Sequence, residues 1–169
     1  MPLSPDDLLA RLREQGVAYK LYEHPPVLTV EAMMAVCGDI AGAHTKNLFL
    51  RDGKKTTFLL TLHHDAQVDL KAFRSVLGAR GGLSFASPET LREQLGVESG
   101  AVSPLAALNA APGSVKILLQ DSLLDAIRIN VHPLVSTRTL SLVPADLVAL
   151  LRANGHEPMP VALPDKAAA

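Results

Sequence analysis

An Asp-Gly step between two apolar runs does most to limit what this chain can become. Leu48-Phe49-Leu50 and Phe58-Leu59-Leu60 flank Arg51-Asp52-Gly53-Lys54-Lys55. Glycine accepts the positive φ of a tight turn, so the pattern predicts a β-hairpin over 47–62. Lys54 and Lys55 at its tip need no role beyond solubility. Lys46 is different, because it stands at the mouth of a strand that reads as buried.

The segments around the hairpin supply helices and further short strands. Ser4 can cap a helix that Pro5 begins and Leu8, Leu9 and Leu12 stripe, with Gly16 as its stop. Residues 17–22 alternate as a strand does. His24-Pro25-Pro26 breaks the chain, after which Thr29 caps a helix through Cys37, stopped by Gly38. Further helices are expected over 69–77, ended by Gly78, over 87–96, and over 144–153 before Asn154-Gly155. Strands are expected over 115–119, 126–131 and 139–142, and Arg80-Gly81-Gly82 reads as a flexible turn. From His156 onward, Pro158, Pro160, Pro164 and the final alanines read as a tail. The expected organisation is one domain over 1–155 and a tail over 156–169. Short strands interleaved with helices imply an α/β domain around a mixed, mostly antiparallel sheet.

Composition narrows the function. The 169 residues suit one domain, and 48% hydrophobic residues are too many for a disordered chain. No apolar run reaches a membrane span, and the charged, helix-patterned start is unlike a signal peptide, so a cytoplasmic protein is expected. The single cysteine, Cys37, excludes an internal disulfide and reads as core. His63-His64 before Asp65 lacks the spacing of metal ligands, so neither metal nor cofactor is expected. The net charge of −1 gives no global basic field. Locally, however, Lys46, Arg51, Lys54, Lys55, Lys71, Arg74 and Arg80 face only Asp52, Asp65 and Asp69 over residues 46–80. Either a nucleic-acid face or an ordinary solvated surface fits that excess.

Two loops can carry chemistry. Gly96-Val97-Glu98-Ser99-Gly100-Ala101-Val102-Ser103-Pro104 precedes an apolar helix at 105–109 and can offer backbone N–H groups to an anion or a developing oxyanion. It lacks the Lys-Ser/Thr ending of a phosphate-binding P-loop, and no Gly-x-Ser-x-Gly marks Ser103 as a nucleophile. In Asn130-Val131-His132-Pro133-Leu134-Val135-Ser136-Thr137, a histidine leaves a strand beside a proline. It can be an acid, a base or an orienting donor, or it can simply close a turn.

His44-Thr45-Lys46-Asn47-Leu48-Phe49, Gly100-Ala101-Val102-Ser103-Pro104 and Val131 to Thr137, in this order, resemble the prolyl-tRNA-editing superfamily of YbaK/ProX-type aminoacyl-tRNA deacylases. His24-Pro25-Pro26-Val27-Leu28-Thr29-Val30 resembles the family's opening segment, and the likeness spans roughly residues 5 to 153. The 131–137 segment looks most like the freestanding branch that removes alanine from tRNA(Pro), although many relatives have asparagine where Ser136 stands. The resemblance implies a curved sheet wrapped by helices and metal-independent hydrolysis of the aminoacyl ester, assisted by the substrate's own ribose hydroxyl. Lys46 would hold a phosphate near the acceptor end, and the backbone at Gly100, Ala101 and Ser103 would bind the oxyanion. His132, Ser136 and Thr137 would orient the terminal nucleotide or the amino group, with Thr45, Asn47 and Pro104 beside them. Leu28, Val30, Met33 and Met34 would line the amino-acid pocket, though their helical spacing equally suits core. Arg51, Lys54 and Arg80 would meet the acceptor stem. A monomer that associates transiently with prolyl-tRNA synthetase is expected, with no membrane partner. Deacylases for cysteine or serine on tRNA, and a non-catalytic aminoacyl-tRNA-binding module, remain the alternatives.

Overall fold

A computed structural model describes residues 2–163. The hairpin forms as expected: β2 (Ala43–Arg51) pairs antiparallel with β3 (Thr57–His63), bringing Leu48 opposite Leu60 and Arg51 opposite Thr57. Its turn chemistry differs from the expectation. Lys55, not Gly53, takes the left-handed backbone, at φ 65°. Gly53 is needed for room instead, since a Cβ there would lie 2.9 Å from the Arg80 carbonyl oxygen. The Gly53 N–H donates to that same oxygen at 2.8 Å, so the 80–82 turn is docked on the hairpin tip.

Eight strands form one mixed sheet. β1 (Lys20–Glu23), β4 (Ser84–Phe85), β5 (Lys116–Gln120), β6 (Ile129–Val131), β7 (Arg138–Leu142) and β8 (Met159–Val161) join the hairpin in the order β1-β7-β6-β2-β3-β5-β8, with β4 beside β2. Pairings β1·β7, β2·β3, β2·β4 and β6·β7 are antiparallel, while β2·β6, β3·β5 and β5·β8 are parallel. The segment expected as a tail from His156 contributes to this sheet. His156 is buried, and Met159 to Val161 pairs with Leu118 to Gln120. Prolines at 158 and 160 disguise an edge strand, a place where a missing N–H is tolerated. The final residues, 164–169, lie outside the described part of the chain.

The helices follow their caps. Ser4 and Asp7 make a reciprocal capping box at α1 (Pro5–Glu14), Thr29 caps α2 (Val30–Cys37), Asp69 caps α3 (Leu70–Leu77) and Ser87 caps α4 (Pro88–Leu95). Gly78 and Gly96 end α3 and α4 in the left-handed conformation. Pro144 begins α5 (Pro144–Ala153). Two expected elements are shorter or tighter. Residues 104–109 form a 3-10 helix, and the strand expected over 126–131 begins only at Ile129, after a 3-10 turn at Asp121–Asp125.

Alternation along the central strands builds a core on each face. Phe49, Leu59, Ile117 and Leu119 pack with Leu8 and Leu12 of α1, Leu91 and Leu95 of α4 and Leu147 of α5. Leu50, Phe58, Leu60, Leu62 and Leu118 meet Phe73 and Leu77 of α3 on the other side. Each fully buried Leu or Phe contributes about 1.5–3 kcal/mol by leaving water, which fixes register, because a one-residue slip would exchange the two faces. A third cluster, Val27, Met33 and Cys37, seats α2.

Candidate active-site cleft

The same alternation divides the residues at the mouth of β2. Thr45 and Asn47 share the face of Phe49, while Lys46 shares the face of Leu48 and Leu50 and stands opposite Leu62. On the edge away from β3, β6 pairs only with Ala43 and His44, and β4 only with Leu50 and Arg51. Thr45 to Phe49 therefore has no strand partner on that side among the described residues. The glycine loop occupies the gap: Asn47 Nδ2 donates to the Val102 carbonyl at 3.0 Å. Thr45 Oγ1 donates to the Asn130 carbonyl at 2.7 Å, which anchors the mouth of the strand to β6.

A cleft of about 130 Å³ opens there. Thr45, Lys46 and Asn47 form its strand wall; Ser99, Gly100 and Val102 its loop wall; and His132 stands beyond the end of β6. The strap before α2 closes it with Val27, Leu28, Thr29 and Val30, backed by Met33. Two backbone bonds hold this strap, from His24 N to Thr137 O at 2.9 Å and from Val27 N to Ser136 O at 3.3 Å. Leu28 is exposed and covers Gly100, where a Cβ would lie 2.6 Å from Leu28 Cδ2. A side chain at 100 would therefore have to push the exposed Leu28 aside.

Lys46 lines the cleft, and its Nζ donates to the Ala66 carbonyl in the loop between β3 and α3. His132 Nδ1 faces the Arg138 carbonyl at 2.9 Å. A carbonyl only accepts, so Nδ1 carries the proton, and in the neutral ring Nε2 is left with its lone pair. Burial pushes the His132 pKa down, the Arg138 carbonyl opposes that, and nearby His24, its ring centroid 6.3 Å away, lowers it further. His44 is likewise pushed down, first by burial, while its Nε2 donates to Ile40 O at 3.0 Å. Among the described residues no three His, Cys, Asp or Glu side chains converge to hold a metal ion.

Eight of the expected site residues meet in this cleft: Leu28, Val30, Met33, Thr45, Lys46, Asn47, Gly100 and His132. Others do structural work nearby. Ala101 is buried and spends its N–H on Glu98 O at 2.9 Å, which removes it from any oxyanion set. Ser103 is fully buried and caps the next turn by accepting from Leu105 N, and Pro104 is buried behind it. Met34 packs with the cluster beneath α2. Ser136 and Thr137 lie outside the lining and hold the strap through their carbonyls. Lys54 and Arg80 are exposed at the hairpin tip, and Arg51 is half-buried at the end of β2. Five strand steps separate Arg51 from Lys46, roughly 17 Å at about 3.4 Å each. Val27, Thr29, Ser99 and Val102 complete the lining; they lie in the quoted segments but are not among the expected site residues.

The family model described as an aminoacyl-tRNA editing domain matches residues 24–150. Prolyl-tRNA synthetase associated domain-containing protein 1 of Mus musculus is 36% identical over 157 residues, covering 90% of this chain and 92% of its own. Prolyl-tRNA editing protein ProX of Acetoanaerobium sticklandii is 35% identical over 150 residues, covering 88% and 91%. The crystal structure of a proposed trans-editing enzyme for prolyl tRNA synthetase superposes with a TM-score of 0.72 at 21% identity, over 97% of this chain and 99% of that one, which establishes the shared fold. The family match begins at His24, in the strap that covers the cleft, and runs through the glycine loop and His132 into α5, so this chain belongs to the aminoacyl-tRNA editing domain family.

Proposed function

We propose that this protein is a freestanding deacylase that clears alanine mischarged onto tRNA(Pro), cleaving the ester at the terminal adenosine. The observation that carries the reading is the meeting of Thr45-Lys46-Asn47, Gly100 and His132 around one small cleft, in a chain 35% identical to a prolyl-tRNA editing protein. A synthetase pocket built for proline rejects the smaller alanine by only about 1–3 kcal/mol, so a second, small site supplies the missing selectivity.

In this reading Lys46 exchanges the Ala66 carbonyl for a phosphate of the terminal nucleotide, a stronger, charge-assisted partner. The ester carbonyl faces the loop wall at Gly100, whose backbone suits a developing oxyanion. Water adds to the carbonyl carbon while the free ribose hydroxyl beside the ester takes its proton and passes its own to the esterified ribose oxygen. The bond from carbon to that oxygen then breaks, and it leaves as a hydroxyl. His132 Nε2, an acceptor, orients the amino group or a ribose hydroxyl. Lys54, Arg80 and Arg51 meet acceptor-stem phosphates further along β2, and the work would be done in the cytoplasm, with prolyl-tRNA synthetase as a transient partner.

The test is single-turnover hydrolysis of a panel of esters on tRNA(Pro). Alanyl-tRNA is expected to be cleaved much faster than prolyl- or cysteinyl-tRNA, with seryl-tRNA rejected only modestly. Equal rates on alanyl and prolyl esters overturn the specificity, and binding without turnover overturns the catalytic reading.

A further inference from the structure

The Asn47–Val102 hydrogen bond joins the two walls of the cleft, and a residue outside the lining decides whether it forms. Asn47 stands opposite Thr61 in the β2·β3 register, and Thr61 Oγ1 lies 2.6 Å from Asn47 Oδ1. An amide fits such a space in two orientations, exchanging its oxygen and its NH₂. The Val102 carbonyl accepts only, so it demands Nδ2. In the flipped orientation two carbonyl oxygens would face one another at about hydrogen-bond distance, which is repulsive. The chosen orientation leaves Oδ1 in need of a donor, and the Thr61 hydroxyl supplies it. Thr61 is fully buried, so solvent has no direct access to replace that donor.

We infer that Thr61 is a positioning residue that sets the separation of the strand and loop walls, and with it the size of amino acid the cleft admits. The inference rests on the deacylase reading for its substrate. Its geometric part, a hydroxyl that locks the Asn47 amide onto Val102, does not. Without the hydroxyl the Asn47 oxygen is left unpaired beside the core, the amide turns in search of water, and the Val102 carbonyl loses its tie to β2. Gly100, two residues before Val102, then moves outward with its loop. A wider cleft loses more of its grip on a methyl side chain than of its exclusion of a ring, so discrimination falls.

Thr61→Val tests this, because valine keeps the shape and strand preference of threonine and removes only the hydrogen-bonding atom. Thr61→Ala is the second variant without a hydroxyl, and Thr61→Ser keeps the donor. Single-turnover rates on alanyl- and prolyl-tRNA(Pro) should show the alanyl-over-prolyl ratio reduced about 3- to 10-fold in Thr61→Val and Thr61→Ala, the range one lost hydrogen bond commands. Thr61→Ser should restore it. A general loss of stability would slow both esters alike, and an unchanged ratio in both hydroxyl-free variants overturns the assignment. Exchange of the Asn47 side-chain amide protons with water, followed by NMR, reads the same lock without any substrate. It should be slow in the wild type and in Thr61→Ser and fast in the other two. If the wild type hydrolyses no ester, the proposed function fails, while the NMR comparison still decides the lock; equal exchange in all four proteins overturns it.

Discussion

His132 Nδ1 and the Arg138 carbonyl oxygen stand 2.9 Å apart, and this one contact selects which imidazole nitrogen is free to serve the cleft. In the proposed reading the ring acts while neutral, since protonation would turn Nε2 from an acceptor into a donor. Burial, with His24 adding to it, holds the folded pKa below the ordinary 6.5. Deacylation should therefore be flat through neutral pH and fall only below the usual imidazole range. The stability consequence has a definite sign. Between the lowered folded pKa and 6.5 the unfolded chain binds more protons, so stability rises with pH through that window. His44 is shifted the same way and adds to the slope. Urea midpoints measured from about pH 5 to 7 should climb in the wild type and climb less in His132→Gln. An equal slope in the two proteins would show that His132 titrates as it does in the unfolded chain.

Asp52 should make the hairpin tip sensitive to acid. Its carboxylate accepts the N–H groups of Arg80 at 3.0 Å and of Lys54 and Thr56 at 2.9 Å each. These bonds, the one from Arg80 foremost, hold its pKa below the usual carboxylate value. The stabilisation is present above the unfolded pKa and is lost as pH falls through the folded one. Asp52→Asn turns an acceptor-only group into one with donors facing N–H groups. The variant should lose this acid-sensitive component and release the Arg80 turn. Its affinity for tRNA(Pro) should fall while single-turnover hydrolysis at saturating protein stays near wild type. Unchanged affinity would separate the tip from the acceptor stem.

Gly100→Ala and Leu28→Ala should compensate one another. The new methyl at 100 would sit 2.6 Å from Leu28 Cδ2, but Leu28 is an exposed side chain and can swing aside. Gly100→Ala should therefore stay within about 0.5 kcal/mol of wild-type stability while losing activity, because the displaced leucine blocks the strap side of the cleft. Adding Leu28→Ala should recover much of the rate, an interaction that a double-mutant cycle measures. Additive losses would mean that the two residues act separately.

The legible parts of this chain were those with a local chemical cause. Ser4, Asp69 and Ser87 each advertise a helix start because a short polar side chain satisfies free N–H groups, and all three do so. Asp52-Gly53 marked a hairpin correctly although Gly53 serves the docking of Arg80 and not a positive φ. β4 and β8 are illegible in the sequence because two or three residues carry no measurable period, and Pro158 and Pro160 argue locally against a strand. The cleft divides likewise. Lys46, Asn47, Gly100 and His132 sit in recognisable motifs. Val27 enters through a backbone bond to Ser136 and Val102 through a carbonyl that accepts from the Asn47 side chain, partners 109 and 55 positions away, and these pairings have no local sign in the sequence. Ser103 is expected in the site for its backbone N–H, because a motif in sequence does not show that its last residues are buried and that the serine hydroxyl caps the next turn.

Lys46 presents the sharpest test of the chemistry. Strand alternation turns its side chain to the face of Leu48 and Leu50, where its ammonium donates to the Ala66 carbonyl, while the residue itself lines the cleft. A neutral carbonyl is a sufficient partner for a waiting cation and a weaker one than a phosphate, so the contact is exchangeable. The side chain shares the strand face of Leu48 and Leu50, and its charge has no acidic partner in an ion pair among the described residues, so the fold is not expected to depend on the charge. Lys46→Met keeps most of that stem. It should melt near wild type and bind tRNA(Pro) through the hairpin tip, but lose at least about a hundredfold in single-turnover hydrolysis, the scale of removing one charge-stabilising group. Lys46→Arg should recover only part of the rate, because a planar fork does not reproduce a compact point charge between Ala66 and a phosphate. Wild-type rates in Lys46→Met would leave the lysine as a rim cation and transfer the positioning of the ester to Asn47, His132 and the loop wall.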